Sequence, residues 1–201
     1  MEKSTQNLYV REIQTQANLA LRANQGIIDC LAILRDNSRE WRDRQEFMLT
    51  TYKEIHSFLT HASNISKLFW PVVNATPPTA NKPDKLAKWQ RTTDRGDFLR
   101  TLYSMRPSNV LENRDLRNHL EHYDERLDDF SAERDLRTTG KGYADMGIGP
   151  IGGIVGPQAS FILRHFDQSN GDFIFRGAHY DLPTIKRAIE EVLNNSNQLL
   201  P

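Results

Sequence analysis

The chain has 201 residues, 38% of them hydrophobic and 26% charged, and its 26 Lys and Arg balance 26 Asp and Glu. This length supports one domain with a real core, and the mixture excludes collagen-like, mucin-like and wholly disordered chains. Leu68 to Val73, the longest apolar stretch, is too short to span a bilayer, Met1 to Gln6 lacks the apolar run of a secretory leader, and the single Cys30 permits no internal disulfide, so a cytosolic, non-membrane chain is expected.

Apolar residues recur near a 3.6 period through Ala17, Ala20, Leu21, Ile27, Ile28, Leu31 and Leu34, predicting a first helix from Leu8 to about Asn37. Ser38 is placed to cap a second helix through Trp41, Phe47, Tyr52, Ile55, Phe58 and Leu59 toward Leu68, which Pro71 stops. Val72 to Pro83 reads as a loop, and a less periodic third helix follows over about Asp84 to Met105. Asn109 and Glu112 stand at capping-box spacing and predict a fourth helix running to about Ser131. Seven of the eleven glycines then fall between Gly140 and Gly156, which predicts a mobile loop. Ala159–Phe166 and Asp172–Phe175 flank a turn-forming run from Asp167 to Gly171, a hairpin signal, with Phe161, Ile162, Phe173 and Ile174 expected to pack on the helices. Asp181, with Pro183 in the first turn, caps a last helix through Ile185, Ile189, Val192 and Leu193.

Charge is unevenly spread. Residues 82–106 carry seven Lys and Arg against Asp84, Asp94 and Asp97, interleaved with Trp89, Phe98 and Tyr103. Residues 121–135 reverse the sign, with seven acids against Arg126 and Arg134. The two segments can pair with each other, or the basic one can face a polyanion; in the second case Arg95 and Arg100 are substrate-binding candidates and the aromatic rings are stacking surfaces.

Several chemical signals are empty. Gly147-Ile148-Gly149-Pro150-Ile151-Gly152 fits G-x-G-x-x-G, but no strand precedes it and no helix follows to present amides to pyrophosphate. Cys30 lies mid-helix among Ile27, Ile28 and Leu31, where a thiol behaves as a small hydrophobe. His56, His61, His165 and His179 read as structural or surface residues.

The fourth helix differs. Leu116, Leu120, Tyr123, Leu127 and Phe130 form its core stripe, while Arg114, Arg117, Asn118, Glu121, His122 and Glu125 fan across the opposite face. His119 and His122 are three apart, not the four that bring two imidazoles together on a helix, and no third ligand is identifiable, so no metal or other cofactor is expected. Metal-free phosphoryl chemistry needs less: an imidazole to take a ribose 2′-hydroxyl proton, a guanidinium for the charge on phosphate, and an amide to orient either.

Arg117-Asn118-His119-Leu120-Glu121-His122 resembles the R-x4-6-H signature of HEPN domains, whose first variable residue is typically Asn, Asp or His. The resemblance covers about residues 5–135 and implies a mainly α fold, a HEPN-like helical bundle, here with an appended β-hairpin and C-terminal helix. It implies a homodimeric, metal-independent endoribonuclease with Arg117, Asn118 and His122 catalytic, and Arg114, Glu121, Arg126, Arg95 and Arg100 near the RNA. Such proteins act as toxins or defence effectors, with an antitoxin or nucleotidyltransferase as partner. The alternative is a catalytically silent dimer that binds nucleic acid, nucleotide or a partner protein. The expected organisation is a bundle over residues 1–137, a glycine-rich loop over 138–158, and a hairpin plus helix over 159–201 packed on the bundle, or all of these as one domain.

Overall fold

The computed structural model describes residues 1–35, 40–113, 123–136, 144–151 and 162–200. Over these the chain is mainly helical, with one small sheet. Helix α1 spans Lys3–Leu34 and buries Val10, Ile13, Ala17, Ala20, Ala23, Ile27 and Cys30, steps of three and four that follow the helical repeat. Helix α2, Trp41–Phe69, runs antiparallel to it: Gln16 of α1 bonds His61 and Asn64 of α2, whereas Gly26 lies against Glu54. Alanines on the α1 face let the backbones approach, and Phe58, Ile65 and Phe69 of α2 fill the resulting core.

Helix α3, Pro83–Leu102, starts on a proline whose missing N–H no helix start requires. It buries Gly96 and Leu99 and otherwise lies on the surface. The expected fourth helix is corrected at its start. Asn109 accepts from the Leu111 N–H at 2.9 Å and closes a single 3₁₀ turn, Val110–Glu112, after which Asn113 adopts ψ 116° and leaves helical geometry. A side chain that bonds the amide two residues on competes with α-helix propagation, and buried Leu111 pins the turn to the core. Helix α4 is Tyr123–Leu136, ending beyond the expected Ser131.

Four strands follow: β1 Gly147–Ile148, β2 Arg164–Asp167, β3 Asp172–Phe175 and β4 Ala178–Asp181, in the order β1-β2-β3-β4. β1 pairs parallel to β2, and the other pairs are antiparallel. A strand inside the glycine-rich segment corrects its reading as pure loop. Its anchor is tertiary: the Tyr52 hydroxyl donates to the Gly147 carbonyl at 2.7 Å, and the Gly149 N–H to Phe166 O at 3.1 Å. β4 was not expected either. It is joined to β3 by a two-residue turn, Arg176-Gly177, with φ 49° and 81°, the left-handed pair that suits hairpin twist.

Phe166, Phe173, Phe175 and Tyr180 turn toward the helices, with the Phe173 ring 6.3 Å from that of Tyr52. His165, Asp167 and Ile174 alternate onto the other face and are also buried. Phe173 and Ile174, adjacent in a strand, therefore cannot both face the bundle as expected; Phe161 lies outside the described residues. Helix α5, Leu182–Leu199, is capped by Asp181, which accepts from the Thr184 N–H at 2.9 Å. It packs along α1, and Tyr103 meets its Ser196 through hydroxyls 2.9 Å apart in the interior. One apolar cluster thus runs from Val10 through Leu111 and Phe130 to Val192, on both sides of residue 137. No helix among the described residues is long and apolar enough to cross a membrane.

Candidate functional site

Of the residues singled out from sequence, Arg114, Arg117, Asn118, Glu121 and His122 lie outside the described residues. Their flanks are placed. On one side Leu111 is buried in the core, and on the other Leu127 and Phe130 of α4 pack on the same core. Arg176, in the β3–β4 turn, then fixes α4 laterally: Nη1 donates to the Arg126 carbonyl at 3.0 Å and reaches Asp129 at 3.2 Å, while Nη2 reaches Glu133 at 3.0 Å. The acidic stretch thus finds a cation on the sheet. Arg126 itself is half-buried and lies 3.5 Å from Asp129.

Arg95 and Arg100 are placed apart from this helix, on α3. Arg95 donates to the Lys67 carbonyl at 3.1 Å and stacks over Tyr9 at 5.8 Å from the ring centre. Arg100 donates to the Phe69 carbonyl and to Asp97. Both guanidiniums therefore satisfy carbonyls that the last turn of α2 leaves without intrahelical donors. The stacking surface expected on α3 is corrected as well. Tyr103 is buried and engaged with Ser196, Phe98 packs on the core, and the Trp89 indole donates to Asn74 O at 2.9 Å. What α3 does present to solvent is mixed charge, cations on Lys85, Lys88 and Arg91 with Lys82 just before it, and carboxylates on Asp84, Asp94 and Asp97.

No family model, curated protein or solved structure matches the chain.

Cys30, His61, His165 and His179 are engaged in the fold, whereas His56 stands exposed on α2. Burial pushes the Cys30 thiol up, against a hydrogen bond with Thr51 that lowers it. His61 Nδ1 lies 2.7 Å from Gln16 Oε1, and burial holds this imidazole below its ordinary value. His165, buried, sets Nε2 2.7 Å from the Gly149 carbonyl, and His179 pairs with Asp172. Beside His165, burial would raise the Asp167 carboxyl, but the Ser169 hydroxyl and N–H and the Ile151 N–H hold it below the usual range.

Sequence reasoning missed one concavity. An open cleft of about 390 Å3 lies where the end of α1 and the start of α2 meet β1. Arg35, Arg44, Gln45 and Gln168 supply its polar lining, and Leu34, Met48, Met146 and Ile148 its apolar lining. These residues come from four separated stretches, so neither a spacing nor a motif announces them.

Proposed function

We propose that this chain is a metal-independent endoribonuclease of the HEPN type, acting in the cytosol as a homodimeric toxin or defence effector. The observation that carries the reading is Arg117-Asn118-x3-His122, which leads directly into a helix held to the core by Leu127 and Phe130 and to the sheet by Arg176. Neutral His122 takes the proton of a ribose 2′-hydroxyl, whose oxygen attacks the adjacent phosphorus. Arg117 stabilises the charge on the pentacoordinate phosphate, and Asn118 orients the reacting group. The bond to the 5′-oxygen breaks and that oxygen takes up the proton now carried by the His122 imidazolium, leaving a 2′,3′-cyclic phosphate on one product and a 5′-hydroxyl on the other.

On an ideal helix Arg117 and His122 point about 140° apart, so a second copy completes the site, with an Arg of one chain beside a His of the other. The exposed cations of α3 and Lys82 steer RNA, whereas Arg95 and Arg100 hold the helix that carries them in place. The test compares RNA with the same sequence carrying 2′-O-methyl groups. The reading expects cleavage of the first alone, with cyclic phosphate ends; cutting of the methylated strand contradicts 2′-hydroxyl attack. RNA binding without cleavage identifies the silent binding module instead.

A further inference from the structure

We propose that the cleft formed by the end of α1, the start of α2 and β1 binds a phosphate monoester that carries an apolar body. The inference stands apart from the nuclease reading, because no residue of the 114–122 segment enters it.

Three features of the cleft carry it. The first is charge. Among the described residues two guanidiniums, Arg35 and Arg44, line the cleft and no carboxylate does. Of the described acids that adjoin the lining in sequence, Asp145 takes both arms of Arg164 at 2.6 and 2.7 Å, Asp167 accepts from Ser169 and Ile151, and Asp43 and Glu46 stand exposed on α2 outside the lining. Arg44 has a further contact in the fold, but a guanidinium carries five donors and can serve two partners. Paired forks match the several oxygens of a phosphate dianion better than the two of a carboxylate.

The second is the floor. Leu34, Met48, Met146 and Ile148 form a deformable apolar surface on which a ring or short chain can lie, with the amides of Gln45 and Gln168 at its polar edge. The volume of about 390 Å3 falls in the range of small-molecule sites, about 300–1,000 Å3.

The third is backbone strain at the floor. Met146 adopts φ 56°, a left-handed conformation that an unbranched apolar residue rarely takes and that concentrates at ligand sites. Immediately after it, Gly147 is bonded through its carbonyl to Tyr52, so the surrounding structure holds the strained residue beside the cleft.

The test uses the full chain with labelled methionine methyls, of which there are four. Phenyl phosphate is titrated against inorganic phosphate, benzoate and benzyl alcohol. The expected result is saturable movement of the Met48 and Met146 signals with phenyl phosphate, Met105 unmoved, and binding at least about tenfold tighter than for each of the other three probes. Arg35→Gln alone weakens binding several-fold, and Arg35→Gln with Arg44→Gln abolishes it; a melting temperature measured on each variant separates loss of binding from loss of fold. No saturation into the millimolar range overturns the proposal, as does unchanged binding in the folded double variant. Benzoate binding as tightly as phenyl phosphate overturns the phosphate assignment. Adenosine monophosphate and octyl phosphate then distinguish a flat body from a chain.

Discussion

Arg176 and Arg126 are joined by a charged hydrogen bond, from Nη1 of the first to the main-chain carbonyl of the second, at 3.0 Å. Through it the β3–β4 turn grips the first turn of α4, the helix that follows the Arg117–His122 segment. The same guanidinium reaches two acids one and two turns along, so one side chain of the sheet sets the position of an otherwise charged and weakly amphipathic helix.

Arg176→Ala is therefore expected to destabilise the protein by about 2 kcal/mol, the scale of a charged hydrogen bond to the main chain. Asp129→Asn costs no more than about 0.5 kcal/mol, because an ion pair of an exposed carboxylate adds little in water. Urea unfolding of both variants checks the ordering. RNA cleavage falls with the first substitution and not with the second.

Gly96 lets α3 lie against the end of α2. A Cβ there meets Pro71 Cδ at 2.7 Å and the Phe69 carbonyl at 3.0 Å, the same carbonyl to which Arg100 donates. Alanine improves helix propensity by about 1 kcal/mol, yet the clash with backbone and a proline ring costs about 1–3 kcal/mol and parts the two helices. Gly96→Ala is expected to lower the urea midpoint, contrary to what propensity alone dictates.

The Asp181 carboxyl is held below its usual range by the Thr184 hydroxyl and N–H. A depressed carboxylate stabilises the fold above its unfolded value of about 3.9 and loses that contribution as pH falls through the folded value. Asp181→Ala should cost about 0.5–2 kcal/mol at neutral pH, the usual worth of a helix cap. Wild-type and variant unfolding curves should converge as the pH is taken below about 3.9.

The long helices were legible because their apolar residues repeat at the helical period over several turns, and α5 because Asp181, Pro183 and its apolar stripe agree. The hairpin from Arg164 to Phe175 was legible in its turn residues, although its first strand is shorter than the β-prone run. β1 was not, since a two-residue strand among glycines exists through Tyr52, 95 residues away in sequence, and through pairing with β2, whose partners lie 18 residues on. β4 was not, because Arg176-Gly177 lacks the Asn or Asp that usually marks such a turn. Arg95 and Arg100 show the same limit at the candidate site: the sequence displays their charge, and only the fold shows the carbonyls that receive it.

The R-x4-H spacing also fits an overlapping frame, Arg114-Asp115-Leu116-Arg117-Asn118-His119, and His122 and His119 separate the two frames. His122→Ala is expected to lower RNA cleavage at least about a hundredfold with folding retained, the scale of a lost positioned acid or base. Arg117→Ala lowers it comparably. His119→Ala costs far less activity. The reverse order of the histidines moves the site to the overlapping frame led by Arg114.

The central claim is tested most directly by the rate at which the purified wild-type chain and its His122→Ala variant cleave single-stranded RNA in the presence of EDTA. The account predicts that the wild-type chain cleaves at a rate the chelator does not change, and that the folded variant is slower by at least about a hundredfold. Activity that EDTA abolishes, or equal rates for the two proteins, would contradict it.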